Sequence, residues 1–232
     1  MTGTASTPTA IRAYHLMSAE HAISSISLQR IKVTRVSEAN DPFELLALNC
    51  MRRDLRRSLS GFRTAQADRM GMLCFSDEWK SPVLWSHYAD GHKGICLGFD
   101  IDPTLGLRGV QQVRYEDKKL QALEDSQYAG EIPEDLQELL LVTKFRHWQY
   151  EQELRVFVNL SKMQKETSLH FHPFSDALCL REVVLGHLCP NSLLRPIRQL
   201  VRAMSPGALV SKARLGFKHF EVKTDARYPA AE

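Results

Sequence analysis

Short runs of strand character recur along the whole chain and are separated by helix-like stretches rather than by linkers, and this interleaving restricts the fold most. Ile31-Lys-Val-Thr-Arg-Val36 alternates with period two. Ile11 to Leu16, Gly71 to Phe75, Gly94 to Phe99, Val110 to Tyr115, Leu154 to Val158, Thr167 to His172, Glu182 to Gly186, Ala208 to Arg214 and Phe217 to Val222 also read as strands. Between them Ser18 caps a helix over Ala19 to Leu28, with Ala22, Ile23 and Ile26 on one face. Phe43 to about Arg69 is helical in pattern, and Ser81-Pro82 opens a short helix through Tyr88. Asp117 to Tyr128, Pro133 to Arg146 and Ser192 to Met204 complete the helical readings. With no repeat, low-complexity linker or composition break, the expectation is a tail over residues 1–10 followed by one α+β domain over 11–228.

The 44% apolar content of 232 residues is enough for a buried core. Thirty Lys and Arg against 27 Asp and Glu make a net charge of +3, too even to name an anionic partner by itself. Cys50, Cys74, Cys96, Cys179 and Cys189 are odd in number and lack a C-x-x-C spacing, so they read as reduced thiols. The start lacks the basic and apolar regions of a signal peptide, and no run approaches the roughly 18 apolar residues of a membrane span. The expected location is the cytoplasm, or delivery from it as an effector, with no membrane partner.

Chemistry concentrates in a few polar clusters. Trp85-Ser-His-Tyr-Ala-Asp-Gly-His-Lys-Gly94 joins a helix to a strand, where polar groups commonly meet ligands. His87 and His92 lack the spacing of a zinc pair, so His87 is expected to pack beneath the next strand, and no metal is assigned. In Glu151-Gln-Glu153-Leu-Arg155 period-two geometry puts both glutamates and the arginine on one face. That face is either a structural ion-pair ladder or an acid/base site in which one glutamate is tuned by its neighbours. Asn40-Asp41-Pro42 reads as the cap of the helix beginning near Phe43. Arg52, Arg53, Arg56 and Arg57 form the one dense basic surface, a solvated face or a contact for nucleic-acid phosphates. No Walker loop, G-x-G-x-x-G or G-x-S-x-G is present.

The ordered set Tyr14-His-Leu-Met-Ser18, Asn40-Asp-Pro-Phe-Glu44, Cys74-Phe-Ser76, Trp85 to Asp90 with His92-Lys-Gly94, and Trp148-x-Tyr-Glu-x-Glu-x-Arg155 resembles a bacterial family catalogued as domain of unknown function 2971. More distantly the chain resembles the ADP-ribosyltransferase superfamily, through His15, then Ser76 or Tyr88, then Glu151 or Glu153. That resemblance implies a mixed, mainly antiparallel split sheet with inserted helices, and NAD as a substrate. It implies catalytic roles for His15, Tyr88, Glu151 and Glu153, and dinucleotide contacts from Tyr14, His15, Ser76, His87, Tyr88 and Arg155. His15 would hydrogen-bond the ribose, Tyr88 would stack on nicotinamide, and a glutamate would stabilise the ribosyl cation. The acceptor would be a protein or nucleic acid, and the setting a toxin, an effector or phage defence. Two other classes remain open: a nucleic-acid-binding or nucleolytic module using the arginine helix and the His87, Glu151 and Glu153 cluster, and a non-catalytic partner-binding domain.

Overall fold

A computed structural model describes residues 10–105, 107–121 and 132–231. All but Ala10 of the expected tail lies outside the described residues, as do residues 122–128 of the stretch read as helix from Asp117; residues 117–121 are not helical.

In chain order the strands are β1 (Ile11–Met17), β2 (Arg30–Arg35), β3 (Met70–Ser76), β4 (Ile95–Ile101), β5 (Arg108–Gln112), β6 (Arg114–Glu116) and β7 (Thr143–Phe145). They continue with β8 (Glu153–Asn159), β9 (Gln164–Glu166), β10 (Leu169–Pro173), β11 (Leu178–Leu185), β12 (Leu209–Leu215) and β13 (Val222–Thr224). The helices are α1 (Ala19–Ser27), α2 (Arg53–Arg69), α3 (Pro82–Tyr88), α4 (Glu134–Leu141) and α5 (Leu194–Met204). Ser18 caps α1 as expected, its Oγ accepting from His21 N at 3.2 Å, and Pro82 opens α3.

Eleven of the described strands form one mixed, mainly antiparallel sheet, and β6 pairs with β7 apart from it. The sheet forks at β3. One edge of β3 pairs along its whole length with β8, which pairs in turn with β5. The opposite edge is shared: Ser76 pairs with Tyr14 of β1, whereas Met72 and Gly71 pair with Thr34 and Arg35 of β2. From β1 the sheet runs on through β4, β11, β12 and β13; from β2 it runs through β10 and β9. A Cβ on Gly71 would lie 2.2 Å from Val33 Cγ1, so glycine is what lets β2 close onto β3 at this point.

Period-two alternation assigns the two faces. Leu73 and Phe75 of β3, Leu154 and Val156 of β8, and Leu97 and Phe99 of β4 point to one side, under Ala22 and Ile26 of α1 and Ile197 and Val201 of α5. The other face is covered in two patches. Leu55, Leu59 and Phe62 of α2 join Leu140 of α4 over Met72 and Phe157. Leu84 and Trp85 of α3 pack with Leu16, Cys96 and Val184. A cleft opens between these two patches, above the fork.

Four local expectations are corrected by long-range contacts. Residues 43–52 are not helical: Leu45 takes φ 60°, Leu48 bridges in parallel to Leu120, and the helix begins at Arg53. Asp41 accordingly makes a local turn, accepting from Phe43 N at 2.9 Å, rather than a helix cap. The stretch read as helix from Pro133 to Arg146 ends at Leu141 and turns into β7, which pairs with β6. Phe217 to Glu221, expected in a strand, forms the connection before β13. Among the described residues no helix is long and apolar enough to cross a membrane.

Candidate functional site

The cleft has a volume of about 250 Å³ and is lined by side chains from segments spread over most of the chain: Tyr14 and His15, Asn40 and Glu44, Ser76, Tyr88, Lys144, and Glu151, Glu153 and Arg155. Tyr14 is set by a missing side chain on the neighbouring strand. Its ring lies over Gly98, where a Cβ would meet ring carbons at 3.0 and 3.2 Å. His15 lies at the fork, where β1 leaves β3. Its Nδ1 is 2.7 Å from the Cys74 carbonyl, and its ring meets Phe75 edge-on with centroids 5.9 Å apart. Because a carbonyl only accepts, Nδ1 carries the proton. Burial lowers the His15 pKa, so the ring is neutral and Nε2 is its acceptor.

Glu151 and Glu153 reach the same side by a route other than strand alternation alone. Residues 146–151 form a 3₁₀ turn that ends at Gln152 in the left-handed region, φ 42° and ψ 52°, and β8 begins at Glu153. The Ser76 hydroxyl donates to the Glu151 carbonyl at 2.6 Å and fixes this turn, while Glu153 N donates to the Tyr115 hydroxyl at 2.8 Å. Both glutamates are buried, at 6% and 4% exposure.

One hydrogen-bonded chain crosses the cleft floor. Asn40 Nδ2 donates to the Tyr88 hydroxyl at 2.7 Å, and that hydroxyl donates to Glu151 Oε1. Lys144 Nζ donates to Glu151 Oε2 and, at 3.2 Å, to Glu153 Oε2. Arg155 Nε donates to Glu153 Oε1 at 2.9 Å, and its terminal nitrogens grip both oxygens of Glu44 at 2.6 and 3.0 Å. Its remaining N–H groups reach the Leu141 carbonyl at 2.6 Å and Glu153 Oε2 at 3.1 Å. All five guanidinium donors are thus engaged within the protein, and none is left for a ligand.

Three carboxylates share two cations here, and the deficit is not spread evenly. Burial alone would raise the Glu153 pKa, but the charges of Arg155 and Lys144 outweigh it and hold the carboxyl at about 2. For Glu151 burial prevails over Lys144 and the Tyr88 hydroxyl, so its pKa is raised. Burial pulls Lys144 toward the neutral amine, yet Glu153 and Glu151 overcome it and keep the ammonium charged. Burial and the adjoining Glu151 push the Tyr88 phenol up, so it remains a donor. Glu153 is therefore held as an anion, whereas burial shifts Glu151 toward its protonated form.

The structure brings His15, Tyr88, Glu151, Glu153, Tyr14, Ser76 and Arg155 to one cleft, although Ser76 and Arg155 serve the protein's own framework there. His87 is apart. It is exposed rather than packed beneath a strand, and its ring stacks on Tyr150 with centroids 5.7 Å apart. Lys144 and the pairing role of Glu44 have no local signal: one falls in a stretch read as helix and the other beside an apparent cap. Trp148 of the last motif packs over Lys144, whose Nζ lies 4.7 Å from its ring centroid. Of the four arginines on the basic surface, Arg52 pairs with Asp54, and Arg56 donates to the carbonyls of Cys50 and Met51 at 3.1 and 2.8 Å. Arg53 and Arg57 are exposed on α2. Among the described residues no group of three or more His, Cys, Asp or Glu side chains is placed to hold a metal ion.

Residues 84–156 match the family model described as Protein of unknown function (DUF2971). The matched stretch contains the motifs from Trp85 to Gly94 and from Trp148 to Arg155. No curated protein and no solved structure matches the chain.

Proposed function

We propose that the cleft is the active site of an ADP-ribosyltransferase-like enzyme that cleaves NAD and transfers ADP-ribose to a macromolecule. The observation that carries this reading is the meeting of His15, Tyr88 and Glu151, from three distant segments, in a single cleft at the fork of the sheet. A volume of about 250 Å³ suits the nicotinamide-ribosyl end of the dinucleotide and leaves the adenosine outside. Three carboxylates against two cations favour a ligand bearing positive charge, and the nicotinamide ring and the ribosyl cation formed from it both do.

In the reaction the bond between ribose C1′ and the nicotinamide nitrogen breaks, and its electron pair leaves with nicotinamide. The acceptor's nucleophile bonds to C1′ and gives its proton to Glu151, whose raised pKa suits it to that task. Tyr88 and Lys144 orient the Glu151 carboxylate. Neutral His15 accepts a ribose hydroxyl at Nε2, and the rings of Tyr14 and Tyr88 flank the nicotinamide. Glu153, Arg155 and Glu44 hold the floor and touch no reacting atom. The exposed Arg53 and Arg57 favour an anionic acceptor such as nucleic acid.

The test is incubation with NAD, chromatography for free nicotinamide, and mass spectrometry for ADP-ribose on protein and nucleic-acid acceptors. Wild type is expected to release nicotinamide, and Glu151→Gln to lose about a hundredfold or more of the rate while keeping its fold. Intact dinucleotide and no adduct with every acceptor class would remove the proposal.

A further inference from the structure

The connection between β12 and β13 is short and closed by its own backbone. Gly216 N donates to the Glu221 carbonyl at 2.8 Å, and Glu221 N donates to the His219 carbonyl at 2.9 Å. A Cβ on Gly216 would lie 2.7 Å from the His219 oxygen, so the turn is tight as well as hydrogen-bonded. On this tip Phe217 is 92% and Phe220 102% exposed. Reading Phe217 to Val222 as a strand conceals this, because a paired strand would bury one of the two rings. Holding two Phe rings in water forgoes the burial free energy that would favour tucking them away, so a contact that removes them from water is the natural explanation.

Two aliphatic side chains stand at the same end of the sheet. β11 and β12 are parallel, with Leu185, the last residue of β11, opposite Lys212, so both strands run toward the same end of the sheet and β12 extends three residues further. Leu188, three residues past β11, and Leu215, the last residue of β12, are 54% and 46% exposed. The surroundings are cationic. The Arg214 guanidinium lies 4.7 Å from the Phe217 ring centroid, Lys218 is exposed between the two rings, and Lys223 holds Glu221, the one carboxylate of the segment from Arg214 to Lys223, at 2.8 Å.

We propose that this tip docks the protein peripherally on an anionic lipid surface. Phe217 and Phe220 enter the boundary between headgroups and acyl chains, Leu215 and Leu188 follow at its edge, and Arg214 and Lys218 meet the lipid phosphates. A projecting tip needs a partner that can close around it, and a bilayer does so without a preformed groove. Unpaired nucleobases would stack on the rings but leave the leucines in water. That no helix among the described residues is long and apolar enough to cross a membrane says nothing about a contact of this kind. The tip lies outside the cleft, so the docking and the proposed catalysis stand or fall separately. It is rooted in the cleft's apolar wall nonetheless, since Val222 packs in the cluster with Trp79 and Trp85 against which Tyr14 and Tyr88 also pack.

Sedimentation of the full chain with vesicles tests this. Binding is expected to vesicles of phosphatidylcholine mixed with phosphatidylglycerol, weakened by high salt, and not to phosphatidylcholine alone. Phe217→Ser with Phe220→Ser is expected to weaken it on the order of a hundredfold, about tenfold for each ring. Lys218→Glu is expected to weaken it at least about fivefold. Because these side chains are exposed, the thermal unfolding midpoint should not move. Failure of wild type to sediment with the anionic vesicles overturns the proposal, as does unchanged binding by the double variant. It is equally overturned if the double variant instead abolishes self-association or the binding of single-stranded DNA.

Discussion

On the floor of the cleft Glu44, Lys144, Glu151, Glu153 and Arg155 take five ionisable groups out of water. On α2 and its approach Arg52, Arg53, Arg56 and Arg57 leave theirs in it. The exposed arginines need little from the fold: Arg52 and Arg56 find partners within a few residues, and solvent screens the rest. The buried groups tolerate no such independence, because each must be matched by another buried group, Glu44 by an arginine 111 residues away, and a missing partner leaves a bare charge in the interior. Charge density along the sequence is thus a poor guide to where charge matters. The conspicuous cluster is structurally loose, and the consequential one is completed by Glu44, far along the chain from the rest.

Arg155→Met is the severest trial of that contrast, since it leaves Glu44 buried without its cation and Glu153 with Lys144 alone. A loss of about 3–5 kcal/mol is expected, read as a lower urea midpoint and thermal transition. A cost below about 1 kcal/mol would mean that the network is no more coupled than the surface helix.

The pH dependence separates the two glutamates. Glu153 is depressed to about 2 from its ordinary 4.5, so its contribution is full above 4.5 and drains away as pH falls toward 2. Glu151 is raised, so the folded protein takes up that proton first, and stability gains as pH falls through the folded pKa toward 4.5. Urea unfolding across this range should show a gain followed by a steep loss. Glu151→Gln should remove the gain and keep the loss. If Glu153→Gln leaves the acid loss unchanged, the assignment is wrong.

The smallest effect is expected on α2. Arg53→Ala with Arg57→Ala should change stability by no more than about 0.5 kcal/mol by urea unfolding. A larger loss would show that this face is held by the fold and would erase the distinction.

How much of this could be read in advance differs from element to element. Ser18 before α1, Pro82 at the start of α3 and the alternation of β2 are local signals, and the folded chain uses them as such. The segment from Phe43 to Arg52 carries helical periodicity but forms no helix, because Glu44 is drawn to Arg155 and Leu48 to Leu120. Lys144 ends a plausible helix in sequence and instead enters β7, where its ammonium meets two carboxylates. Glu151, Glu153 and Arg155 were legible as a group because they lie two residues apart. Their surroundings were not.

The sequence by itself determined the mixed α+β character, the spacing of the polar motifs and the common side taken by Glu153 and Arg155, where backbone periods of two and 3.6 residues apply; Glu151 joins that side through the turn at Gln152. Only the tertiary structure decided which carboxyl has its pKa held down and which has it raised, that Arg155 serves Glu44 rather than a ligand, and that Phe217 and Phe220 stand in solvent. The reason is range. Glu44 and Arg155 are 111 residues apart, and their meeting depends on how β1, β2 and β8 register on β3, which no local pattern encodes.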